Sequence, residues 1–128
     1  MPQDQQQALR RISDHMILQG MGDYLVSEKF SRFCREHEVY EIWGGFLGAS
    51  GDRPELYGSD KIKNAFFLLL QHICQIRKAE FPKIIAGILA DSTKKTADPS
   101  FVPTIKQDLI HLGYSIEDVE DSFRTMSM

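Results

Sequence analysis

The chain is short of the residues that mark several large protein classes. It carries two cysteines in 128 residues, Cys34 and Cys74, where a small disulfide-stapled secreted scaffold uses roughly four to eight. Both sit in apolar patterns, Phe33-Cys34 and Ile73-Cys74, and read as buried thiols that act as small hydrophobes. The longest unbroken apolar run, Ala65-Phe66-Phe67-Leu68-Leu69-Leu70, falls far below the roughly 20 residues that span a bilayer. No charged-then-apolar leader opens Met-Pro-Gln-Asp-Gln-Gln-Gln, so the expected location is cytoplasmic, with no membrane partner. A basic excess is missing too. Net charge is −3, with 8 Lys/Arg against 10 Asp/Glu in residues 1–64 and 7 against 8 in residues 65–128. Nucleic-acid binders usually show a basic stripe and a high pI, which makes DNA or RNA a disfavoured partner.

Motifs for cofactors and nucleophiles are also lacking. Gly48-Ala49-Ser50-Gly51 has no Gly-Lys-Ser/Thr ending and follows no buried strand, so it is no phosphate-binding loop. Gly45-Phe46-Leu47-Gly48 lacks the serine of a nucleophile elbow. Cys34-x-x-His37 and His72-x-Cys74 hold zinc-type ligands. Residues two apart on a helix point about 200° apart, however, so His72 and Cys74 cannot face one ion. No metal and no cofactor is expected.

What is present is helical periodicity. With 42% hydrophobic and 26% charged residues, the composition is that of one globular domain over residues 1–128, large enough to bury roughly two thirds of its unfolded surface. Leu9, Ile12 and Met16 mark a first helix from about Asp4 to Gln19, ended by Gly20-Met21-Gly22. Asp23 is the expected N-cap of a second, with Val26, Phe30, Phe33 and Cys34 on one face through His37. Val39-Tyr40-Glu41-Ile42-Trp43 has strand composition but no strand to pair with, so a short helix stopped by Gly44-Gly45 is expected, then a loop over residues 48–58.

Ser59 or Asp60 then opens the strongest helix, carrying Ile62, Phe66, Leu69, Leu70, Ile73 and Ile76, with Ala65, Phe67 and Leu68 widening its apolar face. Pro82 suits the first turn of a helix bearing Ile84, Ile85, Ile88 and Leu89. A polar loop spans residues 92–103, and Pro103 or Thr104 starts a helix with Ile105, Leu109 and Leu112. Gly113 supplies a left-handed C′ residue, and Ser115 with Asp118 an N-terminal start signal for a last helix carrying Val119, Phe123 and Met126. The expected fold is all-α, a single compact bundle or orthogonal array of six to seven helices, with a helix–turn–helix corner at residues 103–126.

Two patterns bear on function. Ile105, Leu109, Leu112-Gly113-Tyr114-Ser115, Glu117 and Val119 resemble the first two helices of a ubiquitin-associated domain over residues 105–123. In that family the Met/Leu-Gly-Phe/Tyr turn packs on a hydrophobic patch of ubiquitin, so the resemblance implies Tyr114 as a contact ring. Arg10 with His15, and Arg32 with His37, resemble the Arg, four to six residues, then His spacing of HEPN-type helical ribonucleases. There the motif lies in a late helix and here both pairs lie early. The chemistry it implies is cleavage by a histidine acid–base beside an arginine.

With no catalytic constellation converging, the expected function is a non-catalytic interaction or adaptor module, a subunit or domain of a larger assembly. Its expected partner is a protein or a second copy of the chain. Tyr40, Trp43 and Phe46 beside the glycine-rich stretch, with Tyr114, form the candidate surface, since aromatic residues anchor interfaces. The alternative is an RNA-contacting or HEPN-like ribonuclease using Arg32 and His37. Arg77, Lys78, Lys83, Lys94, Lys95 and Lys106 against Glu117, Asp118, Glu120 and Asp121 further suggest a basic face and an acidic tail able to associate head to tail.

Overall fold

A computed structural model describes residues 3–92 and 101–124 of the chain, and among them it contains eight α-helices and no strand. The helices are α1 (Gln3–Met16), α2 (Gly22–Leu25), α3 (Glu28–Glu36), α4 (Tyr40–Gly51), α5 (Asp60–Ile76), α6 (Phe81–Ser92), α7 (Phe101–His111) and α8 (Ile116–Arg124). The all-α expectation holds. The count exceeds six to seven because the second helix, expected from Asp23 through His37, is divided at Val26-Ser27 into α2 and α3.

The first difference lies at Gly20-Met21-Gly22. These residues do not stop the chain: a π turn over Ile17–Met21 leads straight into α2. The wider turn resets the helical register. Met21, Tyr24 and Leu25 thereby follow Leu9, Ile12 and Met16 into the core. Asp23 falls inside α2, and the cap of α3 is Ser27, whose Oγ accepts from Phe30 N at 3.4 Å and donates to Tyr24 O at 2.6 Å.

The second difference is α4. Val39 precedes the helix, and Trp43 N already bonds Val39 O at 2.9 Å. The helix then runs through Gly44-Gly45 to Gly51, so the loop is shortened to residues 52–59. Burial explains this. Trp43 and Ser50 are buried and Ile42, Phe46 and Leu47 pack on the core, while Gly44, Gly45, Gly48 and Gly51 face solvent. Packing an apolar face against α5 outweighs the roughly 1 kcal/mol that each interior glycine costs a helix.

The later elements follow the sequence more closely. Helix α5 buries Ala65, Phe66, Phe67, Leu69, Leu70, Ile73 and Cys74, and packs against α1 and α4. Its last apolar residue, Ile76, is 66% exposed. A 3₁₀ turn (Lys78–Glu80) leads to α6, with Pro82 in the first turn. Of the loop expected over 92–103, Ser92 belongs to α6 and residues 101–103 to α7, which starts at Phe101, two residues before Pro103; residues 93–100, and Met126, lie outside the described residues. Gly113 has φ +106°, and Asp118 N donates to Ser115 Oγ at 3.1 Å, as the corner signals require.

The helices close on one another across the chain. Helix α1 docks on α7, α3 on α6, and α8 on both α6 and α7. Phe30 sits at the centre, fully buried, with its ring centroid 5.3 Å from Tyr24, 5.3 Å from Trp43 and 6.4 Å from Phe66.

Candidate functional site

Tyr40 is placed by a short reversal. Helix α3 ends at Glu36, His37 follows as its C-cap, and Glu38 takes the left-handed φ of 61°. Val39 N then bonds Cys34 O at 2.8 Å. This reversal turns α4 back beside the end of α3, so the Arg35 guanidinium lies over the Tyr40 ring, 4.3 Å from its centroid. Arg35 Nη1 also bonds Glu28 Oε1 at 3.1 Å. Glu28 and then Tyr40 push the Arg35 pKa further up, keeping the cation charged. Tyr40 is 42% exposed. Arg35, Glu38, Tyr40, Glu41 and Ile42 line a groove of about 410 Å³. The sequence reading missed Arg35: the only signal was a cation five residues before a tyrosine, across a turn with no glycine to announce it.

The other aromatic candidates are held inside. Trp43 is 3% exposed and meets Phe30 edge-on, so it does not share Tyr40's surface. Phe46 is partly buried, with its ring 6.2 Å from His72. Tyr114 is half-buried and ties two corners together. Its hydroxyl donates to Lys78 O at 2.6 Å and its ring stacks 6.3 Å from Phe81. With that proton committed, the Cys74 thiol is the donor in the 3.8 Å contact between Sγ and the phenol oxygen. Burial pushes the Tyr114 pKa upward, so the ring stays a neutral phenol.

The Arg32 and His37 pair is arranged differently from its spacing. Arg32 is exposed on α3, and no hydrogen bond or ion pair joins it to His37 among the described residues. The His37 ring lies 4.3 Å from Phe33, and the guanidinium that reaches His37 belongs to Arg77, which donates to the His37 carbonyl. Burial, then the Arg77 charge, lower the His37 pKa. Arg77 in turn pairs with Glu80 at 2.7 Å.

Both thiols are buried, and burial pushes Cys34 up to about 12 and Cys74 above its ordinary value. Neither supplies a thiolate near neutral pH. Among the described residues no group of three or more His, Cys, Asp or Glu could hold a metal ion, and no helix is long and apolar enough to cross a membrane.

The basic and acidic runs meet within the chain in part. Lys106 Nζ bonds Glu120 Oε2 at 3.1 Å, and Lys83 lines a groove of about 350 Å³ with Asp118 and Asp121. Lys94 and Lys95 lie outside the described residues. Comparison with protein-family models, with curated proteins and with solved structures finds no match to this chain.

Proposed function

We propose that the chain is a non-catalytic protein–protein interaction module whose anchor is Tyr40 under Arg35. The observation that supports this is the exposed ring held beneath a guanidinium at 4.3 Å beside Ile42. Tyrosine and arginine carry a large share of binding energy where proteins meet. Two side chains already stacked in the free protein lose less freedom on binding than two free ones. The glutamates at the groove, Glu38 and Glu41, favour a partner that presents an apolar residue with a cation beside it. The partner is another protein or a second copy of the chain.

The test is a photocrosslinker, p-benzoylphenylalanine, at Glu41 in the full chain in its native host, with the same group at Tyr57 as control. Tyr57 is 75% exposed on the loop after α4. A discrete adduct from position 41 that is absent from position 57 and lost with Tyr40→Ala is the expected result. Its mass separates self-association from a different partner. No adduct, or one indifferent to Tyr40→Ala, overturns the reading.

A further inference from the structure

A larger groove, about 490 Å³, runs along the first three turns of α1, well within the size range of small-molecule sites. Gln3, Gln6, Gln7, Arg10, Arg11 and Phe67 line it. Every polar side chain among these carries N–H donors, and none is a carboxylate, in a protein whose net charge is −3. That lining is complementary to an anion.

Two contacts give the lining a defined shape. The Arg10 guanidinium is centred 3.8 Å from the Phe67 ring centroid, and no hydrogen bond or ion pair among the described residues takes its N–H groups. Its outer face is therefore a flat cationic platform resting on a core phenylalanine that is 8% exposed. Arg11 is oriented from the other side: its Nε donates at 2.9 Å to Oδ1 of Asp108, a residue of α7 that is 4% exposed. The Nη groups of Arg11 remain for a second acceptor. Planar rings stack on guanidinium planes, arginine forks match phosphate oxygens, and glutamine amides offer the donor and acceptor needed at the edge of a nucleobase.

We infer that this groove binds a nucleoside phosphate, with the base stacked on Arg10, its edge met by the α1 glutamines, and the phosphate on the free Nη groups of Arg11 and the N–H edge of Arg10. The site is separate from the Tyr40 groove and does not depend on the interaction reading.

The probes are adenosine monophosphate, inorganic phosphate and adenosine, each titrated into the full chain and followed by amide chemical shifts. Adenosine monophosphate is expected to move the amides of residues 3–11 and Phe67 and to bind at least ~10-fold tighter than phosphate or adenosine alone. Arg10→Ala, on an exposed side chain, should weaken it by about tenfold or more with the far-ultraviolet dichroism unchanged. Arg10→Lys keeps the charge without the plane, and should bind the nucleotide no better than phosphate. The proposal is overturned if none of these amides moves at about 10 mM nucleotide, if phosphate binds as tightly as the nucleotide, or if Arg10→Lys binds it like the parent.

Discussion

Glu38 has the left-handed backbone, φ 61°, on which the reversal between α3 and α4 depends. A side chain there costs on the order of 1 kcal/mol relative to glycine, part of which glycine loses again through its freer unfolded chain. Glu38→Gly is therefore expected to stabilise the protein by about 0.5 kcal/mol, read as a higher urea midpoint at unchanged slope; a lower midpoint would show that the glutamate side chain itself holds the turn. The contrast with Gly113 explains what could be read at this scale. Gly113 and Ser115 announce their corner because their residue types are the ones such positions favour. Glu38 announces nothing, and the stacking of Arg35 on Tyr40, which depends on that turn, was hidden with it. Trp43 was misplaced for a related reason: its neighbours Gly44 and Gly45 marked a helix end and a surface, whereas they are the solvent face of a helix whose other side is buried.

The helices with unbroken apolar spacing, α1, α5, α6 and α8, were legible because their own periodicity decides which side is covered. Helix α4 was not, since its glycine content argues against helix and only its contact with α5 overrides that. The same residue type gives opposite expectations on two elements. At Gly45 an added Cβ meets nothing within 4 Å, so Gly45→Ala should raise stability by up to ~1 kcal/mol. At Gly87, inside α6, the Cβ would stand 3.2 Å from Phe33 Cε2. Phe33 is hemmed in by Phe30, 6.1 Å away, and His37, 4.3 Å away. Gly87→Ala should accordingly lower stability, by about 1 kcal/mol, despite the gain in helix propensity. Thermal melts of the pair decide it; a gain at both positions would mean that the α3–α6 contact yields freely.

At the scale of the whole molecule, His37 links stability to pH. Burial and Arg77 place its folded pKa below the ordinary value. The unfolded chain then holds more protons over the interval between the two pKa values, so this contribution is complete above about pH 6.5 and is lost as the pH falls toward the folded value. Because His37 is only half-buried, the loss should stay under ~1 kcal/mol. His37→Gln should flatten that part of the stability curve relative to the parent between about pH 7 and pH 5. Equal slopes in the two proteins would remove His37 as the cause. The sequence identified His37 but assigned it Arg32; Arg77 comes from a helix junction forty residues away, which spacing along one helix cannot reveal.

The docking of α1 on α7 also sets a timetable for synthesis. Arg11 finds Asp108 across 97 residues of chain, and Gln5 reaches the Leu112 carbonyl across 107. At roughly 5–20 residues per second, a ribosome leaves the leucine, isoleucine and methionine stripe of α1 without its C-terminal cover for about 5–20 s. During that interval the newborn chain presents Leu9, Ile12 and Met16 to solvent or to a holding chaperone. Final closure must wait until the α7 segment has cleared the exit tunnel.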